Sequence, residues 1–277
     1  MIVLRRADER QHERRSKREA WLTFSSRDPT DPFAKGFGTL ETLKEGRLSP
    51  RAGIRQPARD AEIITYVREG TLAYQDSLGQ PGVIRAGEFQ RMTAGRGIRY
   101  SEMNASPTES AHVFQIWLRP CLEPLDPGHE EKRFTAAERR GILCAVASSD
   151  GRRGSLKLHQ DAVLYSMTLG RGQHMIHELS PKRSAWLHLV HGRADFETVT
   201  LNAGDGVGIS AERSLSLTAR QETEILLLDL GQLVESEITN GSSTNGDSGS
   251  NGKPSNGKPQ SSPDEASTSP PRAIDLA

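Results

Sequence analysis

Hydrophobic residues come in short runs separated by glycine and polar residues: Ile63-Ile64-Thr65-Tyr66-Val67, Thr71-Leu72-Ala73-Tyr74, Val83-Ile84 and His112-Val113-Phe114-Gln115-Ile116-Trp117-Leu118. These runs are rich in β-branched and aromatic residues, and no stretch keeps a helical period over several turns. The pattern predicts strands, and so an all-β barrel or sandwich. The punctuation then repeats. Gly70, at the end of Tyr66-Val67-Arg68-Glu69-Gly70, is followed 17 residues later by Gly87 in Ala86-Gly87-Glu88. Gly192, at the end of Leu189-Val190-His191-Gly192, is followed 12 residues later by Gly204 in Ala203-Gly204-Asp205. In each copy one glycine ends a strand where a tight turn needs a positive φ, and the second, followed by an acid, opens the return strand. Two similar β-barrels in tandem follow, the first over roughly residues 40–120 and the second over roughly 155–230.

Residues 123–141, with Pro124, Pro127, Gly128 and the charged run His129-Glu130-Glu131-Lys132-Arg133, read as a connector. Within it Ala136-Ala137-Glu138-Arg139-Arg140 predicts one helical turn before Gly141. From Thr239 onward Ser, Asn, Gly, Pro and Lys predominate, Asn-Gly-Lys-Pro occurs twice, and no aromatic residue is present. Such a segment cannot bury enough apolar surface to offset the entropy of ordering it, so a disordered tail is expected. The expected organisation is an N-terminal barrel over 1–122, a connector over 123–141, a C-terminal barrel over 142–235 and a tail over 236–277.

Composition narrows the function classes. Hydrophobic residues make up 34% of the 277-residue chain, and the mean hydropathy is -0.59. Lys plus Arg and Asp plus Glu number 36 each, so no global field steers the protein toward nucleic acid or an anionic membrane. The N-terminal basic residues Arg5, Arg6, Arg10, Arg14, Arg15, Lys17 and Arg18 are interleaved with Asp8, Glu9, Glu13 and Glu19, the mark of a solvated surface. No apolar run approaches the roughly 18 residues of a membrane span, and Met1-Ile2-Val3-Leu4 is too short for the apolar part of a signal peptide. A soluble, cytoplasmic protein is expected. Cys121 and Cys144 lack Cys-x-x-Cys spacing, which argues against a disulfide framework or zinc ribbon. Nucleotide-binding loops and the Gly-x-Ser-x-Gly elbow are absent.

Several segments together resemble the N-terminal cupin barrel of pirin-like proteins. They are Glu62-Ile63-Ile64-Thr65-Tyr66-Val67-x-Glu69-Gly70, Gln75-Asp76-Ser77-Leu78-Gly79, Ala86-Gly87-Glu88-Phe89-Gln90-x-Met92-x-Ala94-Gly95-x-Gly97-Ile98 and Ser101-Glu102-x-Asn104. The similarity extends back through Trp21-Leu22-Thr23-Phe24 and forward through Gln115-Ile116-Trp117 to Gly154-Ser155-Leu156-Lys157-Leu158-His159-Gln160-Asp161. It covers nearly all of residues 1–230 and is similar to the bacterial branch whose members are often described as quercetin 2,3-dioxygenases. The resemblance implies a bicupin fold of two jelly-roll barrels, with a metal in the first barrel and none in the second.

In that family three histidines and one glutamate hold the metal, as His-x-His on one strand and His-Ser-Glu on another. Alternate strand residues share a face, so each pair presents both ligands to one barrel interior. The matching positions here are Gln56, Ala58, Tyr100 and Glu102, within Gln56-Pro57-Ala58-Arg59-Asp60-Ala61-Glu62 and Tyr100-Ser101-Glu102. Three of the four ligands are replaced. Imidazole suits iron, nickel and copper, whereas alanine donates nothing and an amide oxygen or neutral phenol is a poor substitute. Glu102 is the one family ligand retained, and its side chain is expected to share a cavity with Gln56, Ala58 and Tyr100. Glu62 belongs to the general cupin pattern four residues beyond Ala58, where it is a candidate ligand for a hard cation or a candidate base.

The remaining histidines do not rebuild the site. His188 and His191, like His174 and His177, are spaced by three and fall on opposite strand faces unless a bulge intervenes. His112 and His159 read as packing or hydrogen-bonding residues. Two functions stay open. One is a bicupin with a degenerate metal site and no cofactor, which binds an unknown small molecule in its first barrel as a non-catalytic or regulatory protein. The other is a quercetin 2,3-dioxygenase-like oxygenase acting on flavonols or related enols through one divalent Fe, Ni or Cu ion.

Overall fold

The computed structural model describes residues 1–24, 30–58, 60–77, 79, 81–119 and 125–232, apart from the side chain of Gln56. Cys121, the expected tail over 236–277 and the first residues of the expected connector lie outside the described residues.

Four antiparallel-rich sheets make up the fold. A seven-stranded sheet runs in the order Gly128–Arg133, Glu88–Thr93, Glu62–Glu69, Ala111–Leu118, Leu40–Leu48, Arg18–Leu22, Gln11–Arg15. A four-stranded sheet of Gly53–Ala58, Ile98–Asn104, Thr71–Asp76 and Pro81–Arg85 closes over it. The closure is visible in side-chain clusters that draw on both sheets: Leu72, Tyr74 and Ile84 pack with Val67 and Val113, and Ala58, Ile98 and Tyr100 pack with Ile63 and Met92. The second barrel repeats the plan with seven strands, Ser184–His191 and Thr223–Leu230 among them, and four smaller strands from His174–Glu178 to Ser214–Ala219. The all-β bicupin is therefore the architecture observed.

The turn chemistry explains the repeat. Gly70, Gly87, Gly192 and Gly204 all have positive φ, at 80, 84, 92 and 90°. A side chain at Gly192 would also collide with the backbone of Glu222, 2.3 Å from where its Cβ would sit. Only glycine meets both demands.

Two boundaries differ from the sequence expectation. Ile2–Arg5 pairs with Gly206–Ser210, so the N-terminal strand extends the second barrel's sheet rather than the first. Gly128–Arg133, expected in the connector, is the edge strand beside Glu88–Thr93. Its charged side chains are compatible with an edge, where one side of the strand faces no partner strand. The predicted helical turn is present as Ala136–Arg139, capped by Thr135, whose hydroxyl accepts from the Glu138 amide at 3.3 Å.

The two large sheets pack face to face. Leu43, Ile64, Phe89, Phe114 and Ile116 of the first meet Val146, Leu164, Trp186, Leu226 and Leu228 of the second. Each such fully buried side chain contributes about 1.5–3 kcal/mol of transfer free energy. Arg139 clasps this seam: its Nη1 donates to Tyr66 Oη at 3.0 Å, Ser166 Oγ at 3.1 Å and Glu224 Oε1 at 3.1 Å. Among the described residues no helix is long and apolar enough to cross a membrane.

Candidate functional site

Strand parity assigns each barrel face. In Glu62–Glu69 the residues Ile63 and Val67 point into the first barrel while Ile64 and Tyr66 point into the seam. Thr65 therefore faces inward with Gln115, its register partner, which in turn pairs with Lys44; on the other side Thr65 pairs with Gln90. These four form a polar row across the large sheet, flanked by apolar clusters on either side. Among the described residues the second barrel has no such row. Its interior is filled by Met167, Leu187, Leu189, Phe196, Leu217, Leu227 and similar residues. Room for chemistry is found in the first.

Glu102 projects toward the row from the small sheet. It is 5% exposed, and Gln115 Nε2 donates to both carboxylate oxygens, at 2.9 and 2.8 Å. Burial pushes its carboxyl up to about 7, a shift that Lys44 and the Gln115 bond reduce without cancelling. Tyr74, its register partner, belongs to the same belt, where burial and the acceptor Glu131 raise its phenol well above the usual range.

A cavity of about 280 Å³ opens onto Glu102. Gln115, Lys44 and Ile54 line it, and the hairpin of Gln11–Arg15 and Arg18–Leu22 supplies a charged rim that includes Glu13 and Arg18.

The former ligand positions adjoin one another in the small sheet. Gln56 is the register partner of Tyr100, and Ala58 that of Ile98. Ala58 and Tyr100 are 6% and 3% exposed and packed with Ala61, Ile63, Met92, Ala94 and Ile98. The lining of the cavity includes Glu102 but neither Ala58 nor Tyr100. The four positions lie on two neighbouring, register-paired strands, with the ring of Tyr100 packed beside Ala58 and Ile98. This donor set does not fit a transition metal: Ala58 carries no donor, Gln56 and Tyr100 offer at most an amide oxygen and a neutral phenol, and Glu102 is the one retained family ligand. Among the described residues no group of three or more His, Cys, Asp or Glu side chains could hold a metal ion.

Glu62 faces the other way. It is 1% exposed on the seam side of its strand, where it accepts from the His159 amide at 2.8 Å, lies 2.8 Å from His159 Nδ1, and accepts from Thr93 Oγ1 at 3.1 Å. It is thus neither a base in the first-barrel cavity nor a companion to Glu102, since adjacent parity turns it outward. His159 is its partner, one of the hydrogen-bonding histidines expected from the sequence.

The other histidines stay apart. His112 Nε2 lies 2.8 Å from Glu45 Oε1. Burial would raise the Glu45 carboxyl, but His112 and Arg10 outweigh it and hold the group down at about 2. His174 pairs with Thr218 and His177 with Asp229, both at 2.9 Å. A register shift does occur between Leu189 and His191, yet His191 is exposed while His188 is fully buried in the seam. Neither ring nitrogen of His188 has a hydrogen-bond partner among the described residues, and burial presses its imidazole down to about 3, with Arg10 adding to the effect and Glu45 opposing it. Sequence reasoning did not identify Lys44 or Arg18 as site residues. One signal was available for Gln115, a lone amide in a run otherwise suited to burial on both faces.

Comparison with known proteins places these features in a family. Residues 4–118 match the family described as Pirin, and residues 145–230 match the quercetinase C-terminal cupin domain. The chain is 39% identical over 231 residues to the quercetin 2,3-dioxygenase of Escherichia coli strain K12, spanning 83% of this chain and 99% of that protein. It is 35% identical over 208 residues to a pirin-like protein of Caulobacter vibrioides, spanning 74% of this chain and 89% of the relative. The crystal structure of bacterial pirin YhhW from Escherichia coli in complex with nickel(II) superposes with a TM-score of 0.78 at 38% identity, over 84% of this chain and all of that one.

Proposed function

This chain belongs to the pirin family, and we propose that within it the protein binds a small molecule in its first barrel without metal-dependent oxygenase chemistry. The observation that carries this reading is the state of the ligand positions. Ala58 and Tyr100 are built into an apolar layer, and Glu102 is engaged by Gln115 with its carboxyl raised to about 7. One carboxyl with an amide and a neutral phenol is too few donors to replace three imidazoles and a glutamate. The cavity remains. Its volume lies near the lower end of the roughly 300–1,000 Å³ typical of ligand sites, which favours a small metabolite, and its wall carries both an acid and an amine. A regulatory role follows naturally for a protein that binds without turnover. The proposal includes a cytoplasmic location, the compartment expected from the composition.

The second reading is a metal-dependent oxygenase, favoured by the 39% identity to the Escherichia coli quercetin 2,3-dioxygenase and by the nickel(II) complex of its pirin relative. Aerobic incubation of the purified chain with quercetin, in parallel with added nickel, iron(II) or copper, separates the two. Loss of flavonol absorbance should match the metal-only controls. Protein-dependent turnover with any of the three ions would transfer the assignment to the oxygenase reading.

A further inference from the structure

Lys44 is the unabsorbed feature of the first barrel. It sits mid-strand in Leu40–Leu48, beside Gln115 in register and on the wall of the cavity that reaches Glu102. A lysine in such a place ordinarily finds a carboxylate. Here its ammonium makes no hydrogen bond or ion pair within 4.0 Å among the described residues, and the guanidinium of Arg18, at the rim of the same cavity, makes none either. The hairpin brings a second cation, Arg18, toward the amine together with the carboxylate of Glu13, and Glu102 faces the same cavity from the small sheet. Burial brings the Lys44 amine below its ordinary value, with Arg18 acting in the same direction and Glu102 and Glu13 against it. Desolvation beside another cation is the environment that leaves a lysine nucleophilic.

We propose that Lys44 captures a small 2-oxo acid as a reversible imine, with the carboxylate of that acid received by Arg18. The amine supplies the attacking group, the cavity supplies room for a compact ligand, and the rim arginine supplies the charge that selects a carboxylate next to the carbonyl. In the step, the nitrogen lone pair bonds to the carbonyl carbon while the carbonyl oxygen takes up a proton. The carbinolamine then expels that oxygen as water, leaving a carbon–nitrogen double bond. Water is the sole by-product and no electrons change hands. The inference rests on the reading of the first barrel as a ligand cavity, and it names the ligand class.

The test is borohydride trapping on the full chain, with pyruvate and glyoxylate as probes and peptide mass spectrometry to locate the adduct. Trapping at Lys44 should exceed that at the exposed Lys17, Lys157 and Lys182 by about tenfold or more. Lys44→Met should abolish it, with an unchanged thermal transition showing that the fold survives. Arg18→Met should weaken trapping of pyruvate about tenfold while leaving trapping of the neutral probe acetaldehyde unaltered. An adduct spread evenly over exposed lysines, or an unmodified Lys44, overturns the inference. Metal content of the same sample distinguishes the two failures: an unmodified Lys44 in metal-free protein sinks only the imine, whereas stoichiometric transition metal also removes the reading beneath it.

Discussion

Glu102→Gln probes the interior of the first barrel through the pH dependence of stability. The carboxyl titrates at about 7 in the folded chain against an ordinary value of 4.5. Below pH 4.5 both states hold the proton and the group contributes nothing to the slope. Between 4.5 and about 7 the unfolded chain ionises while the folded one does not, so stability falls as pH rises, and above about 7 the loss is complete. The gap corresponds to about 3 kcal/mol. Glutamine is neutral throughout. It keeps an acceptor for Gln115 but places an NH₂ where the second oxygen stood, a pH-independent penalty of about 1–3 kcal/mol. Urea unfolding of both proteins across this range isolates the effect, because every other titrating group cancels in the difference. From pH 4.5 to about pH 8, Glu102→Gln should gain about 3 kcal/mol relative to the native chain. Parallel curves within about 1 kcal/mol would refute the reasoning, and a variant that loses ground with rising pH would mean that Glu102 is ionised and paired.

Two further perturbations test the seam. His188, at about 3 when folded against 6.5 ordinarily, contributes stability that is present above pH 6.5 and lost as pH falls toward 3; His188→Phe should recover about 2–3 kcal/mol near pH 4.5, and an unchanged acid limb in thermal unfolding would contradict it. Arg139→Ala leaves Tyr66 without its buried cation and Glu224 with Arg68 alone, and should cost about 1.5–3 kcal/mol in urea unfolding; a loss below about 0.5 kcal/mol would show that the clasp is dispensable.

The fold was legible because its signals are local. Gly70, Gly87, Gly192 and Gly204 announce turns by conformational need, and the runs around Val67 and Ile116 announce strands by composition. Pairing across the chain was not legible. Nothing in Ile2–Arg5 indicates that its partner is Gly206–Ser210 in the other barrel, and the charges of Gly128–Arg133 mimic a loop because an edge strand tolerates them. The site divides in the same way. Replacement of the histidines could be read from Ala58 and Tyr100 alone, whereas the polar row of Lys44, Gln115, Thr65 and Gln90 exists only through the register of four strands. Glu62 was placed by a motif that parity overrides, since its strand is buried on both faces.

Metal content of the purified native chain, measured by plasma mass spectrometry after expression with nickel, iron and copper, tests the central claim most directly. The triple variant Gln56→His, Ala58→His, Tyr100→His, which restores the family's ligand set around native Glu102, serves as the positive control. The native chain should carry no stoichiometric transition metal, and the variant should approach one ion per chain. One tightly held nickel, iron or copper ion in the native chain would contradict the account, because the barrel would then bind metal through a set of residues that the chemistry of Ala58, Tyr100 and Glu102 does not provide.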